Sequence, residues 1–197
     1  PARIEAMQPT IEQAIRTIKA WQAQGRLGYR AMPNQSEALL DEMITHVRKI
    51  MDACVTDLVL LGMGGQALGN ITLQEALEQE LHNVFAQARG RYARVHIIDN
   101  ADARFLKRYL DGKQLKPETT DVYISSKSGT TVETLANAYF ILNWMAETLD
   151  EGELYKHMVI TTNDKEEGLL YESLKGKPIR MWYIPTKHNS VEGRYSV

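Results

Sequence analysis

Residues 121–149 read DVYISSKSGTTVETLANAYFILNWMAETL, and this stretch decides the fold. Its first six residues predict a strand whose nearly continuous apolar character is typical of burial on both faces of a parallel sheet. From Val132 to Leu149, apolar residues recur at the 3.6-residue period of a helix. Between the two lies a loop of small and hydroxyl-bearing residues, 125–134. A strand, a loop and a helix in this order indicate one βα unit of a parallel sheet.

The same alternation extends through the chain from residue 57 onward. Four further apolar runs predict strands: DLVLLG, RVHIID, HMVITT and RMWYIP. Helical patterns separate them, so we expect an α/β fold with a doubly wound, mainly parallel five-stranded sheet and helices on both faces. Residues 1–54 predict helices, with Ser36 as an N-cap. The expected division is therefore an N-terminal helical segment, 1–54, and an α/β domain, 55–197.

Composition excludes several classes of function. The 197 residues have a net charge of −2 and a pI near 6.3, which argues against a nucleic-acid partner. No apolar run is long enough to span a membrane, and the first residues lack a hydrophobic signal core, so we expect a cytoplasmic protein with no membrane partner. The five histidines show no ligand spacing, and no metal site is expected. Cys54, the single cysteine, lies in a helical pattern and is expected to be buried.

The loop after the third predicted strand has the chemistry of an anion site. It combines four hydroxyls, a glycine and a lysine: Ser126, Lys127, Ser128, Gly129, Thr130 and Thr131. That set suits a terminal phosphate dianion held at the N-terminus of the following helix. The alternative is a plain helix cap, with Thr130 and Glu133 forming a capping box. A capping box explains two residues and leaves the others unexplained, which favours phosphate binding.

A second glycine-rich loop, LLGMGGQALG at 60–69, follows the first predicted strand. Gly62, Gly64 and Ala67 satisfy the dinucleotide fingerprint G-x-G-x-x-G/A, and Asp99 would be the ribose-binding acid of an oxidoreductase. The spacing from Ala67 to Asp99 exceeds the roughly 20 residues that this fingerprint expects. A purely structural tight turn is the other alternative.

Three motifs together resemble the glucose-6-phosphate isomerase family, whose members have the sugar-isomerase (SIS) fold. They are GMGGQALG, SSKSGTTVET and the segment VEGRYSV at 191–197, which is similar to the family's G-G-R-[FY]-S pattern. The resemblance implies three groups of site residues. They are phosphate contacts from Ser126, Lys127, Ser128, Thr131 and Thr134, a substrate-adjacent turn at Gly64, Gly65 and Gln66, and a catalytic Arg194 that stabilises an enediol intermediate.

Two positions depart from the family pattern. Gln66 stands where the family usually has a serine near the phosphate, and Glu192 replaces the first glycine of G-G-R. The phosphate contact at position 66 is therefore left open.

The resemblance also implies an activity. It is the interconversion of glucose 6-phosphate and fructose 6-phosphate in glycolysis and gluconeogenesis, without a cofactor and in a homodimer. The family's glutamate base, histidine and lysine lie beyond the arginine motif. We therefore expect this chain to be a truncated N-terminal part that binds sugar phosphate and is inactive alone. The alternative is a non-catalytic SIS module that senses sugar phosphates.

Overall fold

A computed structural model of the protein describes residues 2–27, 36–78, 81–113, 115–163 and 166–184. The strands are β1 (Asp57–Leu61), β2 (Arg94–Ile98), β3 (Thr120–Ser125), β4 (Met158–Asn163) and β5 (Arg180–Ile184). The helices are α1 (Ala2–Ala23), α2 (Glu37–Asp52), α3 (Gly65–Leu77), α4 (Ala86–Arg89), α5 (Ala103–Lys113), α6 (Val132–Ala146), α7 (Glu151–Lys156) and α8 (Leu169–Leu174). A short 3-10 turn, Pro117–Thr119, precedes β3.

The five strands form one sheet in the order β2-β1-β3-β4-β5, and every neighbouring pair is parallel. All five predicted strands and their parallel arrangement are confirmed. The chain moves from β1 outward to β2 and then returns past β1 to β3. The strand order therefore reverses between β1 and β3, which makes their shared carboxyl end a topological switch point.

Successive residues of β3 point to opposite faces of the sheet, as in any strand. Val122 and Ile124 are buried in the main hydrophobic core, which also contains Ile141 of α6. Tyr123 points to the other face, where its hydroxyl lies 2.9 Å from Nε2 of His46 on α2. Helices therefore cover both faces of the sheet, which confirms the predicted doubly wound architecture.

Helix α2 begins at the predicted N-cap and ends two residues before the end of the predicted helical pattern at residue 54. The Ser36 hydroxyl accepts a hydrogen bond of 3.2 Å from the backbone N–H of Leu39, which confirms the N-cap. The helix ends at Asp52, and Cys54 adopts a left-handed backbone with φ of 57°. This turn places Cys54 on the surface, so the prediction of a buried cysteine is wrong.

Helix α1 is amphipathic, and much of its apolar stripe remains exposed. The exposed members are Ile4, Met7, Ile11, Ile15, Ile18 and Trp21. Charged and polar residues, several alanines and Pro9 occupy the rest of its surface. Within the described ranges, neither this helix nor any other combines the length and the apolar character that crossing a bilayer requires.

A buried polar cluster lies at the amino-terminal end of β1 and β2. Asp57 is 1% exposed, and its carboxylate lies 2.7 Å from Nε of Arg94 and 2.7 Å from Nε2 of His96. Thr56 donates a third hydrogen bond, of 2.8 Å. Burial alone would raise the pKa of Asp57, but the hydrogen bonds from His96, Arg94 and Thr56 outweigh it and lower the pKa to about 2.

Because of this cluster, the free energy of unfolding decreases at acid pH. The ordinary pKa of the Asp57 carboxyl is 3.8 and the folded value is about 2, so its ionised form contributes stability above about pH 4. That contribution, about 2 kcal/mol, is lost as the pH falls from 4 toward 2. We expect Asp57→Asn to lower the free energy of unfolding at pH 7 by about 2–4 kcal/mol, because the Arg94 charge loses its partner. Urea denaturation at pH 7 and at pH 3 measures both effects.

Asp41→Asn is the matched control, since Asp41 is an exposed carboxylate on α2. Its substitution should change stability by less than about 0.5 kcal/mol. An equal loss in the two variants would contradict the role given to Asp57.

Candidate functional site

Two loops meet where the carboxyl ends of β1 and β3 lie side by side. The register pairs Leu61 with Ile124, so the segments that leave these strands start from adjacent positions. The glycine loop, 62–65, connects β1 to α3, and the hydroxyl loop, 126–131, connects β3 to α6. Ligands of open parallel sheets bind at such switch points. The two loops that the sequence singled out are therefore brought together.

The side chains of the hydroxyl loop form a local network. Ser126 is 1% exposed, and its hydroxyl donates to that of Thr131 at 3.3 Å. The Ser128 hydroxyl lies 3.5 Å from the same Thr131 oxygen and accepts from the backbone N–H of Thr130 at 3.2 Å. Lys127 is partly exposed beside them. Hydroxyl and ammonium donors are thus concentrated within six residues.

Helix α6 begins one residue later than the predicted capping box requires. Its N-cap is Thr131, with no side-chain cap hydrogen bond, and Glu133 falls in the first turn. Thr130 lies instead in the preceding turn, where its N–H and its hydroxyl both donate to the Ser128 hydroxyl. The capping box is therefore wrong. The first N–H groups of α6 have no hydrogen bond from the N-cap side chain, which suits an anion at this helix end.

The hydroxyl loop is supported from the side of β4. Asn163 donates a hydrogen bond of 2.9 Å to the carbonyl of Lys127, and Leu170 N–H donates one of 2.9 Å to the carbonyl of Gly129. Gly129 has φ of 65°, and a Cβ added there would meet the carbonyl oxygen of Glu167 at 3.3 Å. The connection from β4 to α8 therefore fixes the shape of the loop and requires glycine at 129.

Two buried hydroxyls beside the loop have no hydrogen-bond partner in the described part of the chain: Thr134 and Thr162. An unmade hydrogen bond of this kind costs about 1–3 kcal/mol. Thr134 lies in the first turn of α6, and the Thr162 hydroxyl would lie 3.5 Å from a Cβ on Gly129. The sequence resemblance pointed to Thr134 and missed Thr162, whose only signal was its place near the end of a predicted strand.

The glycine loop makes a tight turn into α3. A Cβ on Gly62 would lie 3.1 Å from the backbone carbon of Gln66, so only glycine fits there without a shift. Gly64 is the N-cap of α3, with φ of 53° and open space around it. Gln66 is buried, and the Ser125 hydroxyl donates to its Oε1 at 2.7 Å. The residue that departs from the family pattern thus connects the glycine loop to the end of β3.

A separate cavity of about 660 Å³ lies at the opposite, amino-terminal end of the strands. In its wall, Nδ1 of His157 lies 2.8 Å from Oδ1 of Asp121, and Arg180 pairs with Glu42 at 2.6 Å. Burial, with a smaller contribution from Arg180, lowers the pKa of His46 below its ordinary value. These groups bond to one another within the wall, and the cavity is remote from the switch point.

A 2-1-3-4-5 parallel sheet with a hydroxyl-rich, helix-initiating loop at its switch point defines an open, doubly wound α/β domain. The family model described as phosphoglucose isomerase matches residues 32–197, and the chain belongs to this family. The SIS-type fold expected from the sequence is thereby confirmed.

Relatives with the family's name are similar over nearly the whole chain. Glucose-6-phosphate isomerase of Rubrobacter xylanophilus is 30% identical over 98% of this chain and 42% of its own length. The enzyme of Thermus thermophilus is 31% identical over 100% of this chain and 43% of its own length. The chain therefore spans less than half the length of the curated relatives it matches. These relatives are isomerases, which argues against the oxidoreductase interpretation of residues 62–67.

Two solved structures have a similar fold. The crystal structure of "hypothetical protein TT0462" from Thermus thermophilus matches with a TM-score of 0.78 and 31% identity, covering 100% of this chain and 43% of that one. A glucose-6-phosphate isomerase from Chlamydia trachomatis shares the fold with a TM-score of 0.52 and 20% identity, over 76% of this chain and 27% of that one.

The structure brings together two of the three predicted groups of site residues. Ser126, Lys127, Ser128, Thr131 and Thr134 lie in or directly after the hydroxyl loop, and Gly64, Gly65 and Gln66 lie across the switch point from them. Arg194 and Glu192 lie outside the described residues.

The packing of Gly129 yields a test of the loop. We expect Gly129→Ala to destabilise the fold by about 1–3 kcal/mol, because alanine would need a left-handed backbone and would press on the Glu167 carbonyl. Thermal unfolding of the purified chain measures the change.

Two other glycines serve as controls that separate the effect of the left-handed backbone from the effect of the contact with the Glu167 carbonyl. Gly176 shares a positive φ, 77°, but has open space, so Gly176→Ala should cost about 1 kcal/mol through the backbone alone. Gly112 lies in α5 with open space, so Gly112→Ala should be neutral or stabilise the helix by up to about 1 kcal/mol. A Gly129→Ala variant as stable as Gly112→Ala would show that the loop is not held as described.

Proposed function

We propose that this chain is the sugar-phosphate-binding N-terminal part of an aldose–ketose isomerase that interconverts glucose 6-phosphate and fructose 6-phosphate. Family membership gives the reaction class. The observation that carries the proposal is the hydroxyl loop at the switch point, where Ser126, Ser128 and Thr131 cluster at the start of α6. A phosphate dianion bound there would accept hydrogen bonds from hydroxyls and from helix N–H groups at once.

The two loops would divide the substrate between them. The phosphate end would bind at Ser126, Lys127, Ser128, Thr131 and Thr134, and the sugar carbons would extend toward Gly64 and Gly65. Glycines at this turn leave the backbone open to close approach by a ligand. This division holds one end of the sugar fixed while chemistry proceeds at the other.

Isomerisation moves a proton between adjacent carbons through an enediol, which requires a base and stabilisation of the developing oxyanion. We assign the stabilisation to the guanidinium of Arg194. Glu133 is exposed in the first turn of α6, where an acidic side chain complements the helix dipole, and we do not assign it as the base. The base and the ring-opening residues would lie beyond the arginine motif, in the part of the relatives' length that this chain does not span.

The remaining parts of the proposal follow from the family. The reaction is an internal redox exchange between two carbons of one sugar and requires no cofactor. We place the intact enzyme in the cytoplasm as a homodimer, acting in glycolysis and gluconeogenesis. Its small-molecule partner is the sugar phosphate.

Phosphate binding is tested by soaking crystals with inorganic phosphate or fructose 6-phosphate. We expect phosphate density against residues 126–131. Lys127→Ala should weaken phosphate binding roughly tenfold, because one charged hydrogen-bond donor is removed from an exposed site, with little change in unfolding temperature. Calorimetric titration measures the affinity.

Lys116→Ala is the matched control, since Lys116 is an exposed lysine before the other end of β3. It should leave phosphate affinity unchanged. Nucleotide density along 62–67 would instead support the dinucleotide interpretation.

Activity is tested in a coupled assay with the 197-residue chain and with the full-length gene product. We expect turnover from the full-length protein and none from the 197-residue chain. In the full-length protein, Arg194→Ala should lower kcat more than it raises KM, because its charge is needed mainly in the transition state. Turnover by the 197-residue chain would show that a base lies within it. A full-length protein that binds sugar phosphate without turnover would support the sensing module.

A further inference from the structure

One buried hydrogen bond joins the two loops of the candidate site. The Ser125 hydroxyl donates to Oε1 of Gln66 at 2.7 Å, across 59 residues of sequence. Both side chains are buried, Gln66 at 8% and Ser125 at 5% exposure. Ser125 is the last residue of β3, and Gln66 is the second residue of α3. The contact therefore joins the end of β3 to the start of α3 at the switch point.

The two sides of this contact differ in how they are held. The hydroxyl loop is anchored independently of Gln66, because Ser126 N–H bonds to the Thr161 carbonyl at 3.0 Å and Asn163 bonds to the Lys127 carbonyl. The glycine loop has a different set of contacts: Gly62 N–H bonds to the Ile98 carbonyl at 3.3 Å, and Gln66 N–H bonds to the Met63 carbonyl at 3.1 Å within the turn. The contact between Gln66 and Ser125 therefore joins two loops that are otherwise held by separate backbone hydrogen bonds.

Ser125 and Ser126 have separate roles although they are neighbours. Successive strand residues point to opposite faces, and only Ser126 joins the network with Thr131. The Ser125 hydroxyl is directed to Gln66 instead. A serine at position 66 could not make this contact, because its side-chain oxygen is two bonds closer to the backbone than Oε1 of glutamine.

We propose that Gln66 is a positioning residue that sets the distance between the glycine loop and the hydroxyl loop, and so aligns the sugar carbons of a bound sugar phosphate. It does so without contacting the phosphate. This inference rests on the proposed function for its substrate. Its specific consequence is that losing the contact impairs recognition of the sugar and leaves recognition of the phosphate intact.

The test uses the full-length gene product with Gln66→Ala, Ser125→Ala and the double variant. Calorimetry gives affinities for inorganic phosphate and for fructose 6-phosphate, and the coupled assay gives kcat and KM. We expect each single variant to lower kcat/KM and fructose 6-phosphate affinity about tenfold, since a misplaced loop loses substrate alignment. Affinity for inorganic phosphate should stay within about twofold. The double variant should be no worse than either single one, because all three lack the same contact.

Two further variants separate positioning from general damage. Ser125→Thr keeps the hydroxyl donor and should retain more sugar affinity than Ser125→Ala. Gln74→Ala removes another glutamine of α3, one remote from the switch point, and should leave all constants unchanged.

Each contrary result has a definite meaning. A loss of inorganic phosphate affinity in Gln66→Ala would show that Gln66 contacts the phosphate and would overturn the proposal. The proposal would also be overturned if the losses of kcat/KM in the two single variants multiplied in the double variant. A lower unfolding temperature with unchanged affinity for fructose 6-phosphate would overturn it as well. If the unaltered full-length protein shows no turnover, the proposed isomerase function fails. The two affinities still decide the role of Gln66 in that case.

Discussion

The parallel pairing of β1 with β3 is the constraint on which the site depends. It aligns Leu61 with Ile124 and so forces the segments after both strands to leave the sheet at adjacent points. Because the intervening strand, β2, lies on the outer side of β1, no strand separates the two loops. The position of the candidate site is therefore a consequence of strand order. The loop sequences determine what chemistry is offered there.

Much of this arrangement could be predicted from the sequence because its signals are local. Short apolar runs such as DVYISS predict strands buried on both faces, and the alternation with helical periods predicts parallel pairing. A loop rich in hydroxyls directly after such a strand belongs at the ligand-binding edge whatever the strand order. The strands and the sheet type follow from patterns no longer than one βα unit, whereas the meeting of the two loops depends on the strand order, which places β1 beside β3.

The remaining features depend on contacts between distant residues or on details of a single turn. The hydrogen bond between Gln66 and Ser125, and the support that Asn163 and Leu170 give the hydroxyl loop, join segments with no common pattern. Cys54 was misplaced because periodicity does not show at which residue a helix stops. The N-cap was misplaced by one residue, because Thr130 lies in the turn before the helix, where it donates two hydrogen bonds to Ser128.

The polar groups described above at the two ends of the sheet differ in how completely they are paired. At the amino-terminal end, Asp57 accepts from His96, Arg94 and Thr56, and Asp121 pairs with His157. A buried charge whose partners complete its hydrogen bonds has little left to offer a ligand, and removing one partner destabilises the fold. At the carboxyl end, Thr134 and Thr162 bury hydroxyls without partners in the described part of the chain, and α6 starts without a side-chain cap. Such unmade hydrogen bonds lower stability unless something binds to complete them. The cavity of about 660 Å³ lies at the end where these groups are paired, and the Thr134 and Thr162 hydroxyls lie beside the hydroxyl loop at the other end. On the proposed function, a ligand that brings acceptors, such as a phosphate, would gain free energy at the carboxyl end, because it would supply partners that the described residues do not.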